Sequence, residues 1–591
     1  MNSFVGQSSK KIGQLFQQSN QLHIKGQLES AREGYLQVIK AQPKHFDALH
    51  LLGVLYCQLK DYGCAIDYVS RALQLTSNPV FYYSLGVAYQ ESGQLDAAER
   101  SYLSALKGRP KYPEALYNLG NIKRAKKNNQ EALVYFDQAL LLKADYADAY
   151  YNRGNALKDL GEYASAVQSF ESATALNKAF APAYLNKGLA QKEMGHYELA
   201  LESYTNALRV NPGYSDAYSN MGILYTELKL WAQAMQSFNE ALNLNPNHAQ
   251  ALWNKSLLLL LHGNFKDGFA LYGARWREEV MISPVLSSTN PWITSSMFGS
   301  PNLAEPENST GVVHQPICQR LLIWAEQGVG DEVMFAVLLP RACVLASKIL
   351  VQVDERLIPL FRRSFPDYEF LPKGQVIAES NYDQHMPMGQ LAEIFCQNQD
   401  AFKTIPAGYL LSDTTRRSQI KEQIPLKQKP TIGISWRSKN DKKGRDRSIS
   451  ALDLVGALCL NSSGGFALDR FNFINLQYGA TQEELQIVRE TLGIEVLSYA
   501  DIDNFSDIDG LATLIDACDA VVSIDNSTVH LAGALNRATY VLLPFSADWR
   551  WGLSSERSYW YKSLFLYRQS NPGEWASPLF ALQADLLKNY G

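Results

Sequence analysis

Residues 118–140, "NLGNIKRAKKNNQEALVYFDQAL", decide the reading of the first half of the chain, because their pattern returns at 152–174 as "NRGNALKDLGEYASAVQSFESAT". Working outward, Gly53, Gly86, Gly120, Gly154, Gly188 and Gly222 follow one another at a nearly constant interval. Ala31, Ala65, Ala98, Ala132, Ala166, Ala200 and Ala234 keep the same register, as do Tyr102, Phe136, Phe170, Tyr204, Phe238 and Tyr272. A fixed period of this kind is the mark of stacked supersecondary units. Small residues let paired helices approach closely, an aromatic fills the space between repeats, and Pro43, Pro110, Pro212 and Pro246 punctuate the links.

The small and aromatic positions resemble the tetratricopeptide pattern, and the resemblance implies an α-solenoid over residues 8–280 whose inner surface holds a partner segment. Within it Asn118, Asn152, Asn186, Asn220 and Asn254 recur at the same spacing, two positions before each small residue. An amide offers donors and an acceptor together, so a stacked row can clasp the backbone of an extended peptide. The row is similar to the asparagine ladder of O-linked N-acetylglucosamine transferases, which implies acceptor binding by these five residues. The alternative is that asparagine is tolerated in a duplicated repeat or bonds to neighbouring repeats.

After the repeats, "VMISPVLSSTNPWITSSMFGSPNLAEPENSTGVVHQP" loses helical period and turns rich in Ser, Pro, Asn and Thr, which marks a linker at 281–318. From Arg320 onward the apolar runs "LLIWA", "KILVQV", "PTIGISW", "FNFINLQ", "AVVSI" and "TYVLLP" read as buried parallel strands. Helical stretches at Glu332 to Ser347, Asp354 to Ser364, Thr481 to Leu492, Leu511 to Cys518 and Ser527 to Leu535 alternate with them, and "KEQIPLKQKP" divides two groups. The expected fold class is therefore α-solenoid followed by α/β, with two Rossmann-like lobes at 319–425 and 426–591.

The first strand ends in "AEQGVGDEVMF", where Gly328 and Gly330 allow a tight turn and the next helix offers free amides at its start. Gly-x-Gly without a third glycine is weak evidence for a dinucleotide. At Gly330 and Asp331 the chain resembles the lipopolysaccharide heptosyltransferases. This resemblance implies a GT-B fold with Asp331 as general base toward an acceptor hydroxyl, and Glu326 is the second carboxylate of the same loop. The alternative is that Asp331 caps a helix starting at Glu332.

The second group contributes "GISWRSKNDKKGRDRSIS", a strand opening into a loop with Arg437, Lys439, Lys442, Lys443, Arg445 and Arg447. Positive charge at the carboxyl end of a strand suits a departing nucleotide phosphate. In "ACDAVVSIDNSTVHLAGALNRATYVLLP", Asp525, Asn526, Ser527 and Thr528 form a turn at a helix start, with His530 one turn further in. Free amides and the helix dipole favour an anion there. This stretch and "LPFSADWRWGLSSERSYWYKSLFLYRQ" resemble the donor-binding part of heptosyltransferase-like enzymes and of bacterial tetratricopeptide glycosyltransferases. The resemblance departs at Asn526 and Arg437, where relatives carry threonine and a small residue. Trp549, Arg550 and Trp551 read either as stacking groups or as core, and Asp501 to Asp503 and Asp507 to Asp509 as loop and cap acids rather than a metal motif.

The bulk numbers are compatible with this. A net charge of −4 over 591 residues argues against a polyanion-binding surface, so nucleic acid is not the expected partner. Seven scattered cysteines, none in Cys-x-x-Cys, suggest neither a disulfide framework nor zinc, and a reducing cytoplasm fits. With no signal-type leader and no long apolar run, membrane insertion is not expected. Taken together, the resemblance implies a protein O-glycosyltransferase with no cofactor beyond its donor substrate, a nucleotide-sugar. Flagellin as acceptor with a CMP-linked nonulosonic acid is one branch, and a UDP-linked donor another. His530 is the third candidate catalytic residue. Gly328, Gly330, Arg437, Lys439, Arg447, Asp525, Asn526, Ser527 and Thr528 form the expected donor site, without metal. The alternatives are a non-catalytic repeat scaffold and a heptosyl-type enzyme acting on a glycolipid.

Overall fold

The computed structural model describes residues 2–277, 316–425, 428–438, 447–460 and 470–590, with side chains from residue 10 onward. Residues 281–315 of the segment read as linker, and Lys439, Lys442, Lys443 and Arg445 of the basic loop, lie outside the described residues, and Cys318, the last residue of the expected linker, already opens a strand. Residue contacts group the chain into two compact units, Met1–Leu224 and Tyr225–Gly591.

Among the described residues, sixteen helices, from Asn2–Ile24 to Phe265–Tyr272, fill the repeat region, and within it successive helices pack in pairs such as Phe46–Gln58 with Tyr62–Leu75 and Ala181–Glu193 with Tyr197–Val210. The recurrent small positions have a direct steric cause. A methyl group on Gly120 would come within 2.5 Å of Phe136, one on Gly154 within 2.6 Å of Phe170, and one on Gly188 within 2.5 Å of Tyr204. The aromatic of the second helix thus packs on the glycine of its own repeat, not only between repeats. Ala132, Phe136, Ala166, Phe170, Ala200 and Tyr204 are all fully buried.

In the second unit, four parallel strands, β1 (Cys318–Trp324), β2 (Ala346–Val353), β3 (Glu369–Pro372) and β4 (Gln384–Pro387), form a sheet in the order β3-β2-β1-β4. A second sheet contains β5 (Thr431–Ser435), β6 (Asn472–Asn475), β7 (Val496–Leu497), β8 (Ala520–Ile524), β9 (Ala538–Leu543) and β10 (Leu564–Arg568). Its order is β10-β9-β8-β5-β6-β7, again with every pair parallel. The central strands β5 and β8 are buried along their whole length, as the continuous apolar runs require of strands covered on both faces. All ten carboxyl ends therefore fall on one edge of their own sheet, where open α/β sheets take ligands.

The helix expected over Glu332 to Ser347 is shorter and starts earlier, at Val329–Ala336. A 3₁₀ turn follows at Leu339–Val344, where Pro340 has no N–H to continue an α-helix, and Ser347 already belongs to β2. The helix before β8 spans Ile508–Ala517, beginning ahead of the expected Leu511, because Asp507 accepts from the Gly510 N–H and caps it.

Candidate functional site

The apolar strand β1 delivers its end to the loop Ala325–Gly328. Gly328 has extended backbone with open space around it, so no steric demand fixes this residue as glycine. Gly330 is different, since a methyl group there would lie 2.9 Å from His530 Cδ2. The helix after β1 (Val329–Ala336) and the helix after β8 (Ser527–Ala534) therefore touch at Gly330 and His530. Asp331 lies inside the first turn of its helix rather than capping one that begins at Glu332. Its Oδ1 is paired with Arg550, whose Nη1 also donates to Asp548 Oδ1 at 2.5 Å.

At the second sheet, Asn526 occupies the cap position of the Ser527–Ala534 helix, and its Oδ1 accepts from the Thr528 N–H at 3.1 Å. Its Nδ2 donates to Ser435 Oγ at 2.7 Å, tying the end of β8 to the end of β5. Gln477, just past β6, accepts from the Trp436 and Arg437 N–H groups at 2.9 Å each. Three strand ends are thus fixed by side-chain amides, a signal available in the sequence only as isolated Asn and Gln residues. Ser527 remains partly exposed at the helix start. Asp525 is buried and pairs with Arg447 at 3.1 Å.

These positions bring Gly330, Asp331, Arg550, Asp548, His530, Asp525 and Arg447 into one connected cluster. Burial raises the Asp525 carboxyl above the ordinary aspartate range, with Arg447 opposing. Burial also pushes Asp548 up, but the guanidiniums of Arg550 and Arg447 outweigh it and hold the group below its usual range. Burial, with Arg550 adding, brings His530 down to about 3, so its ring is neutral near pH 7. Its Nδ1 lies 3.0 Å from the Tyr561 hydroxyl and its face stacks on Trp551 at 5.4 Å. Trp549 and Trp551 are core: both are buried, and Trp549 packs on Phe269 and Tyr272.

Two expected site residues, Glu326 and Arg437, point elsewhere. Glu326 retains 2% exposure and bonds to Arg275 Nη2 and to the Gly389 N–H, each at 2.6 Å. It anchors the loop, and Arg275 had no sequence signal beyond its place at the end of the repeats. Arg437 pairs with Glu484 at 3.1 Å and donates to the Ala480 carbonyl, while Lys439 is not described. Next to Asp331, the fully buried Glu332 accepts from the Asp354 N–H at 2.7 Å and lies 3.7 Å from Lys373 Nζ. Burial pushes its carboxyl up to about 8. Asp507 pairs with Arg416 and Asp509 with Arg363, at 2.8 and 2.7 Å. Among the described residues no group of three or more His, Cys, Asp or Glu is disposed to hold a metal ion.

In the repeats, Asn118 Nδ2 donates to the hydroxyls of Tyr83 at 3.4 Å and Tyr102 at 3.1 Å. Asn152 donates to Tyr117 at 2.8 Å and Asn186 to Tyr151 at 3.0 Å. Asn220 and Asn254 donate instead to carbonyls one turn back in their own helices, at 2.8 Å each. Leu185 and Ser219 stand where the preceding repeat of the other three has tyrosine. The ladder's donors thus have partners inside the protein, while the Asn186 oxygen accepts from Lys158 Nζ at 3.3 Å.

Among the described residues no helix is long and apolar enough to cross a membrane. Tetratricopeptide-repeat family models match residues 25–78, 83–146, 181–214 and 215–248, and a TPR-repeat model matches 154–195. Protein FlbA of Caulobacter vibrioides is 31% identical over 289 residues, covering 46% of this chain and 47% of that protein. BBSome complex member BBS4 of Mus musculus is 34% identical over 106 residues, covering 18% of this chain and 20% of that protein. Protein O-mannosyl-transferase TMTC1 of Mus musculus is 25% identical over 126 residues, covering 20% and 13%. The chain spans less than half the length of these relatives. Of solved structures, MamA is 30% identical with a TM-score of 0.27, covering 28% of this chain and 97% of its own. YrrB, described as a TPR protein with an unusual peptide-binding site, is 24% identical with a TM-score of 0.29, covering 32% and 98%. Residues 25–248 of this chain are a tetratricopeptide-repeat region, followed by an α/β region of parallel sheets.

Proposed function

We propose that the protein is an O-glycosyltransferase in which the α/β region is a GT-B catalytic domain and the repeats hold an acceptor protein. One observation carries this reading. Asp331, at the carboxyl edge of the first sheet, meets through Gly330 and His530 a helix start and a buried Asp525–Arg447 pair at the carboxyl edge of the second. A base thereby faces an anion-binding helix terminus across one contact, the arrangement displacement at an anomeric carbon needs. The name of the O-mannosyl-transferase relative is in keeping with transfer of a sugar to a protein hydroxyl.

In this mechanism an acceptor Ser or Thr oxygen attacks the anomeric carbon as Asp331 takes the hydroxyl proton. The bond from that carbon to the nucleotide phosphate breaks, its electron pair leaving with the phosphate. Arg447 and the amides at the start of the Ser527–Ala534 helix stabilise the charge that develops. Arg550 holds one Asp331 oxygen and leaves the other for the acceptor. His530, neutral and backed by Tyr561, keeps the two edges in contact. The donor is a CMP- or UDP-linked sugar, and flagellin is one acceptor to test.

Calorimetric titration of UDP, GDP, ADP and CMP into wild type and an Arg447→Met/Ser527→Ala variant tests the donor site. Micromolar binding of one nucleotide, lost in the variant, is expected. In turnover with that donor class, Asp331→Asn should lower kcat by about 10²–10⁴-fold while nucleotide affinity is kept. The ion pair that closes on Asp331 favours a second reading, a repeat scaffold with an inactive α/β region. Absence of binding by all four nucleotides would establish that reading instead.

A further inference from the structure

Lys229 occupies the turn between the helices Ser215–Glu227 and Trp231–Leu244, with backbone φ of 59°. Its ammonium lies 3.2 Å from the centroid of the Phe545 ring. Phe545 follows the end of β9, and its N–H donates at 3.0 Å to Gln569, which follows the end of β10. Arg568, the last residue of β10, donates from Nη2 to the Trp551 carbonyl at 2.6 Å and the Ser555 carbonyl at 3.2 Å. Trp551 is the residue whose ring stacks on His530. Lys229 and Arg568 therefore sit at the carboxyl edge of the second sheet, one residue removed from the candidate site.

The charges around them do not balance. Arg275, Arg447, Arg537 and Arg550 are each met by a carboxylate. Among the described residues neither Arg568 nor Lys229 is paired with one. Burial lowers the affinity of both side chains for their proton, Arg568 to about 10, and for Lys229 the charge of Arg568 adds to the effect. Two partly buried cations that repel each other, with carbonyls and an aromatic ring as partners, carry a desolvation cost that a bound anion would relieve. Both side chains remain partly exposed and can be reached from solvent.

We propose that Lys229 and Arg568 form an oxyanion site that takes a carboxylate or phosphate group of the ligand bound at this edge. Arg568 spends Nη2 on two carbonyls, which leaves Nη1 to meet an oxyanion, and the lysine adds a point charge. Such a site would distinguish an acidic ligand from a neutral one of equal size. It makes no use of a transfer step, so it stands or falls separately from the catalytic reading.

The test uses the full chain and two probes, malonate and inorganic phosphate, titrated calorimetrically at constant ionic strength set with sodium chloride. Wild type should bind one of them, malonate if the group is a carboxylate and phosphate if it is a phosphate. Lys229→Gln should weaken that binding about tenfold, the loss of one charged contact, and Lys229→Arg should restore it. Circular dichroism of each variant separates lost binding from lost fold, and the Arg variant keeps the test decisive if the Gln variant unfolds. Binding of neither probe by wild type, or binding that survives unchanged in Lys229→Gln, would overturn the proposal.

Discussion

The Arg275–Glu326 pair is closed from solvent on both sides, and the Gly389 backbone completes it. Removing one charge strands the other, which costs about 3–5 kcal/mol. Arg275→Met should therefore lower the urea midpoint of the full chain sharply, whereas Arg275→Met with Glu326→Gln should recover part of the loss. Gly389 belongs to the same unit, because a methyl there would meet Glu326 Oε1 at 2.6 Å and Arg275 Nη2 at 2.9 Å. Gly389→Ala should consequently mimic Arg275→Met in the same denaturation series. None of this was visible in the chain order, where Arg275 and Gly389 stand 51 residues before and 63 after Glu326. Asp331 was more legible, since a strand, a glycine pair and an acid announce a loop at a sheet edge. Its partner was not, because Arg550 lies between Trp549 and Trp551 in a stretch that read either as stacking groups or as core, with nothing to mark an ion pair.

At the scale of elements, legibility followed period and length. The repeats were readable because each glycine and aromatic answers one steric requirement that returns with every repeat, so a single reading served many helices. Phe170→Ala should remove a fully buried ring from that register and cost about 3–5 kcal/mol, read as a lowered midpoint in thermal unfolding followed by circular dichroism. Six strands were found from continuous apolar runs. β3 and β4 escaped because each has four residues and ends at a proline, Pro372 or Pro387, and β4 opens with Gln384 and His385. β7 has two residues, too few to show any period. β10 was hidden in an aromatic-rich stretch whose Leu564–Arg568 run was not separated from its surroundings.

For the whole molecule, two buried groups set opposite limits on stability against pH. His530 binds its proton more weakly folded than unfolded, so its contribution is full above about 6.5 and is lost as pH falls toward about 3. Glu332 holds its proton more tightly folded, so its contribution is full below about 4.5 and is lost as pH rises toward about 8. From these two groups the optimum falls between about 4.5 and 6.5. On the alkaline side the loss should be about 1 kcal/mol per pH unit between the His530 and Glu332 limits. Glu332→Gln should flatten that limb in urea titrations at pH 6.5 and 8, and an unchanged slope would show that the carboxyl ionises freely in the fold. The grouping of residues from Tyr225 onward into one compact body has a practical corollary for exchanging the repeats. A chimera that imports foreign repeats should be spliced ahead of Tyr225, because a junction placed after the repeats end would discard Arg275 and leave Glu326 without its guanidinium.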